Sequence, residues 1–283
     1  LEIVELDDLT VKFQEFDGVL VINASPKDEP LLPFIDSNVI HALMFTSMSN
    51  ARPVYVLESR PDRETLSLFS PERNSWRSRF NPPVQPSDES ASAYWQLFRC
   101  FLSFLRQRNS PEWHPFVVES SKIVTASLVG LEAFVPTLSI GVEAVIKESA
   151  FRDHSAGVID KETVQRLQSH VREWVGDESV IDRACNLLNM MRQPRAKDVL
   201  FQLESAGLIE KRHINAWSKL RNPSAHGESS YDDHDDGSLH EDIALATTLF
   251  HRIILDQIGY DGEFRDYSDP SMPLVTLRRK RGD

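Results

Sequence analysis

Apolar and polar residues alternate with a period of two in the first part of the chain. Leu9, Val11 and Phe13 take every second position, Asp17-Gly18 is a turn signal, and Val19 to Ile22 follow as a buried strand. Val54 to Leu57 and Leu66 to Phe69 predict two further strands, with Asn38 to Met48 a short helix ahead of them. Three prolines and small polar residues in "NPPVQPSDES", Asn81 to Ser90, then predict a linker.

Beyond the linker the period becomes helical. Tyr94, Leu97, Phe98, Phe101, Leu102 and Leu105 form one stripe. The apolar segment from Val117 to Ala150 is expected to divide or kink at Pro136. Asp160 can cap a helix with Val164, Leu167, Val171 and Trp174 as its inner face, stopped at Gly176. Val180, Ile181, Ala184, Leu187, Leu188 and Met191 continue the pattern to Pro194, and Val199, Leu200 and Leu203 precede a stop at Gly207. Ile214, Trp217 and Leu220 lead into "RNPSAHG". Ser238 and Glu241 have capping-box spacing ahead of Ile243, Ala246, Phe250 and Ile253. The expected fold is α+β: a β-rich N-terminal region over 1–82, a linker over 83–90, a helical bundle over 91–260 and a tail over 261–283.

Composition adds limits. Over 283 residues, 41% hydrophobic and 26% charged content suits a globular protein with a sizeable core. The net charge of -12 argues against broad, sequence-blind adhesion to nucleic acid, though it leaves room for a small basic site. Thr125 to Ile146 is interrupted by Glu132, Pro136, Gly141 and Glu143, so no membrane span is expected. Cys100 and Cys185 are expected as separate thiols in a reducing cytoplasm. The chain opens on Leu1, which suggests processing or the C-terminal part of something longer.

The candidate chemistry lies in "WSKLRNPSAHGESSYDDHDDG", Trp217 to Gly237. Metal-free RNA scission needs a base for the ribose 2′-hydroxyl, and histidine titrates in the right range. It also needs a lasting positive charge at the phosphate, which a guanidinium supplies with two parallel hydrogen bonds. Arg221 and His226 supply this pair, with Asn222 beside the arginine. A break at Pro223 is expected to swing His226 back beside Arg221. Arginine, asparagine and histidine also suit an ordinary helix C-terminus. The spacing recurs at "RNSPEWH", Arg108 to His114, so spacing alone does not select the site.

"LRNPSAHG" after an amphipathic helix resembles the ribonuclease motif of HEPN domains. "WQLFRCFLSFL", "HPF", "GVEAVIKE", "DRACNLLNMM" and "ILDQIGYDGEFRDYSDPSMP" fall in the order of ApeA-type anti-phage defence proteins. The resemblance covers roughly Trp95 to Pro273 and departs at Ser271 to Pro273, where a glycine and a tryptophan are expected. It implies an all-α HEPN-type bundle behind a variable β-rich domain, and an endoribonuclease needing neither metal nor other cofactor. It further implies a homodimer with a composite cleft for RNA, tRNA among the candidates, and a trigger of phage origin. Carried onto this chain, Arg221, Asn222 and His226 occupy the motif, with Glu143 in "GVEAVIKE" as the further acidic residue. Some family members keep the fold as inactive dimerisation or nucleotide-binding modules.

Lys211, Arg212 and Lys219 are the candidate RNA-backbone contacts, and ordinary surface charge is the alternative. The acidic run Tyr231 to Asp242 fails calcium-loop spacing, because the twelfth position from Asp232 is Ile243. It is expected as a solvated loop that repels RNA until something moves it. A metal-dependent phosphoesterase using His226, Asp232, Asp235 and His240 is the third reading.

Overall fold

The computed structural model describes residues 2–16, 19–27, 34–49, 55–60, 63–68, 80–85, 90–108, 110, 112–153, 159–191, 195–226 and 236–277. Strands β1 (Glu2–Glu5), β2 (Leu9–Phe16) and β3 (Val19–Pro26) form an antiparallel sheet in that order. Val4 pairs with Val11 and Phe13 with Ile22, so the alternation puts Val4, Val11 and Phe13 on one buried face. Helix α1 (Ile35–Ser47) follows, then an antiparallel pair of strands, β4 (Tyr55–Arg60) and β5 (Arg63–Leu68). The first strand, β1, carries too little alternation to be seen in the sequence.

The bundle comprises α2 (Ala91–Arg106), α3 (Pro115–Val129), α4 (Leu131–Asp153), α5 (Lys161–Arg172), α6 (Glu178–Met190), α7 (Ala196–Ser205), α8 (Lys211–His226) and α9 (Asp236–Gln257). Helix α4 runs through it, packed on α3, α9, α8 and α7. The expected division at Pro136 falls instead at Gly130, between α3 and α4. Pro136 sits in the second turn of α4, where its missing N–H removes a single ladder bond. At Gly141 α4 lies against α3: an added Cβ would sit 2.8 Å from Ile123 Cδ1.

Some expected caps hold and others move. The Asp160 side chain accepts from Thr163 N, and Gly207 ends α7 with φ 76°. The expected capping box lies within the helix: α9 begins at Asp236, which places Ser238 and Glu241 inside its first turns.

The described parts of the expected linker and tail pack against each other and the bundle. Phe80 and Val84 are buried among the bundle residues. Arg265 N donates to the Pro83 carbonyl at 2.7 Å and the Tyr267 hydroxyl to the Pro82 carbonyl at 2.7 Å. The tail itself folds back through the paired strands β6 (Glu263–Arg265) and β7 (Leu274–Thr276). Residues 278–283, which hold the basic end of the chain, lie outside the described residues.

Sheet and bundle share one core. Phe13 meets Trp95 and Phe98 at 4.5 and 5.1 Å between ring centroids, and Phe45 stacks on Phe101 at 4.2 Å. The Arg106 guanidinium grips both carboxylate oxygens of Asp8. Both cysteines are free, and burial pushes the Cys100 thiol up to about 11. No helix among the described residues is long and apolar enough to cross a membrane.

Candidate functional site

Helix α8 buries Ile214, Trp217 and Leu220 at the spacing the sequence predicts. Trp217 anchors it by donating from Nε1 to the Ser139 carbonyl of α4 at 3.0 Å. One turn later, Arg221 emerges at the edge of this interface with 42% of its side chain exposed. Its guanidinium lies over the Trp217 ring, 5.7 Å from the centroid, a favourable cation–π placement. Its Nε donates to Glu143 Oε2 of α4 at 2.8 Å. Two expected site residues, 78 positions apart, are thus brought into direct contact.

Glu143 is gripped from two sides. Lys147, one turn along α4, approaches Glu143 Oε1 at 2.9 Å. Burial of the Glu143 carboxyl is the largest influence and disfavours its charge. The hydrogen bonds and charges of Arg221 and Lys147 together outweigh it, so its pKa lies below the usual carboxylate value. Among the described residues at this point, two cations thus converge on one carboxylate. Lys147 was not singled out from the sequence, although its spacing of four from Glu143 on a helix is a readable signal.

The other expected site residues fare differently. The side chains of Asn222 and His226 lie outside the described residues. The backbone of α8 is described, and it runs through Pro223 to His226 without the expected break. Pro223 enters only in the last turn, where little helix remains for its missing N–H to disrupt. Within a continuous helix, Arg221 and His226 sit about 140° apart around the axis and about 7.5 Å apart along it.

The basic candidates are dispersed. Arg212 pairs with Glu210 at 2.9 Å and donates to the Ser268 carbonyl and hydroxyl, tying α8 to the tail. Lys211 and Arg212 lie ten and nine residues before Arg221, about 14 Å down the helix. Lys219 is nearer, but its ammonium reaches Asp242 of α9 at 3.3 Å. Of the acidic run, residues 231–235 lie outside the described residues, as does His226 of the metal reading apart from its backbone.

The second arginine–histidine spacing has a structural role. His114 is 1% exposed, and its Nδ1 accepts from Phe116 N at 3.1 Å, capping α3. The imidazole is built into the helix start and does not meet solvent. No family model, curated protein or solved structure matches this chain.

Proposed function

We propose that the chain is an endoribonuclease of the HEPN class acting in anti-phage, abortive-infection defence. The ribose 2′-hydroxyl attacks the adjacent phosphate, the bond to the 5′ oxygen breaks, and a 2′,3′-cyclic phosphate and a 5′-hydroxyl result. His226 serves as base to the hydroxyl or acid to the leaving oxygen, and Asn222 positions the strand. Arg221 neutralises the scissile phosphate.

The observation that carries this reading is the contact between Arg221 and Glu143 beside Trp217. It fixes the Nε edge of the guanidinium against a carboxylate that stays anionic. Among the described residues the two Nη groups take no partner, which leaves them as the fork that would meet a phosphate. The continuous α8 also fits a composite cleft, because one chain presents Arg221 and His226 on different sides of the helix. Two copies, each giving one of the pair, would complete a site.

Arg221→Ala and His226→Ala are each expected to lower RNA cleavage by roughly 100-fold or more. Expression of the unaltered chain should arrest growth and His226→Ala should relieve it. Chelation of divalent metal should leave the rate unchanged. Equal toxicity and equal cleavage by the two chains would end the nuclease reading.

The uninterrupted helix through Pro223 favours a second reading, in which the motif is only a helix end within an inactive HEPN-like dimerisation or nucleotide-binding module. That module would cleave no RNA offered to it, and Arg221→Ala would have no effect on growth.

A further inference from the structure

Between the expected linker, α4, α9 and the tail lies a recess of about 120 Å³ that no step of the proposed reaction uses. Phe134, Ile243, Tyr267 and Met272 supply apolar walls, and Asn81, Thr247 and His240 a polar lining. The aromatic walls are held in place. The Tyr267 hydroxyl donates to the Pro82 carbonyl, and Phe134 meets Phe80 at 6.1 Å between ring centroids. Met272 enters with φ 46°, a left-handed conformation uncommon for a residue with a side chain. Its N–H donates to the Asp269 carbonyl and its own carbonyl accepts from Arg265.

Two polar groups in the lining are unused. Thr247 is 6% exposed, yet its hydroxyl makes no hydrogen bond to another described residue. A helical threonine can donate to the carbonyl four residues back, as Thr46 and Thr137 do here. The exposed Asn81 amide also lacks a partner among the described residues. A hydroxyl buried beside apolar walls goes uncompensated unless something enters to bond it.

The lining also limits what can enter. Among the described residues it holds no carboxylate, ammonium or guanidinium, so the guest is uncharged where it sits. A cavity of about 150 Å³ takes up one benzene ring, so this recess suits a single six-membered ring. Aromatic walls favour a flat face, and an amide with a hydroxyl matches a ring edge that both donates and accepts. Uracil and cytosine meet each requirement, whereas a purine has one ring too many. Position ties the recess to the candidate site. Asp242, next to Ile243 on α9, meets the ammonium of Lys219, two residues before Arg221. Phe134 lies nine residues ahead of Glu143 on α4, about 13.5 Å along the axis. A stacked strand rising about 3.4 Å per nucleotide covers that in about four.

We infer that this recess takes an unpaired pyrimidine base of an RNA strand, its ring against Tyr267 and Phe134 and its edge on Asn81 and Thr247. The inference rests on the proposed function for the choice of RNA, and it gives that substrate a single-stranded stretch and a sequence preference.

Fluorescence anisotropy on the full chain with 2′-O-methyl strands, which lack the attacking hydroxyl, reads base choice without cleavage. Oligouridylate should bind roughly tenfold or more tighter than oligoadenylate. Thr247→Val, which keeps the shape, and Asn81→Ala should each lower that preference at least roughly threefold, with circular dichroism unchanged. Arg221→Ala should weaken both strands alike and leave the preference in place. Equal binding of the two strands overturns the inference, as does a preference that survives both recess variants. So does displacement of oligouridylate by p-cresol as readily as by uridine, which would make the recess a seat for a tyrosine side chain of a protein partner. A chain that prefers oligouridylate yet cleaves no unmodified RNA ends the nuclease reading and leaves the recess standing.

Discussion

Helices α8 and α6 look alike as patterns and end in opposite surroundings. Both carry apolar residues at three- and four-residue spacing. Ile214, Trp217 and Leu220 of α8 are sealed between α4 and α9, whereas Val180, Leu187 and Met190 of α6 face outward. A helical stripe states that a face needs covering and does not name the cover. In the central bundle the same chain supplies it. At the α5–α6 hairpin, the described residues leave it open.

The sharpest way to break this comparison is to truncate one tryptophan in each region. Trp217→Ala removes a 3% exposed side chain and its bond to Ser139, and should cost about 3–5 kcal/mol in urea unfolding. Trp174→Ala, at a side chain 55% exposed, should stay within about 0.5 kcal/mol. Comparable losses would mean that the hairpin is packed as tightly as the bundle.

The next effect is acid sensitivity, which should be strongest in the bundle, though burial also lowers His41 of α1. Burial lowers His213 to about 4, with the Arg252 charge adding to the effect, and lowers His251 to about 3. Both are neutral in the fold, and the unfolded chain takes up protons first as pH falls through 6.5. Their stability contribution is therefore complete above pH 6.5 and drains away on acidification toward those lower values. Each imidazole should remove about 2 kcal/mol between pH 6.5 and 5. His251, whose ring nitrogens lack hydrogen-bond partners among the described residues, lies between Phe80 and Tyr267. His251→Phe should lessen the slope between urea midpoints at pH 7 and pH 5, with His213 and His41, also lowered by burial, accounting for the rest; an unaltered slope would discard this account.

The smallest structural effect should come from Glu143→Gln, which keeps shape and loses charge at a partly open site. Urea midpoints should hardly move, while RNA cleavage should fall roughly 10- to 100-fold as Arg221 loses its anchor. A full rate in Glu143→Gln would reduce the carboxylate to packing.

Legibility followed the range of the forces involved. Strands β2 and β3 and the caps at Asp160 and Gly207 depend on a few neighbouring residues, so they stood out. The break between α3 and α4 did not, because Pro136, in the second turn of α4, removes one ladder bond without ending the helix and drew attention from Gly130. Ser238 has the right partner at the right spacing, yet α9 starts ahead of it at Asp236. At the candidate site, the arginine was readable from its motif. Glu143 could be nominated only by resemblance, since 78 intervening residues must fold before it meets Arg221. No local pattern separated the arginine–histidine spacing of the bundle edge from the one used to cap α3. His114 is told apart by its burial, which belongs to the whole fold.

The grip of Arg106 on Asp8 and the seating of Pro82 and Pro83 against the tail fix how news can travel through this molecule. Among the described residues, the sheet is bolted to α2 through Asp8 and Phe13. Whatever docks on the N-terminal strands would be felt farther along as a slight tilt or slide of α2 and its neighbours. Any message sent from that end toward Arg221 would arrive as pressure through packed side chains.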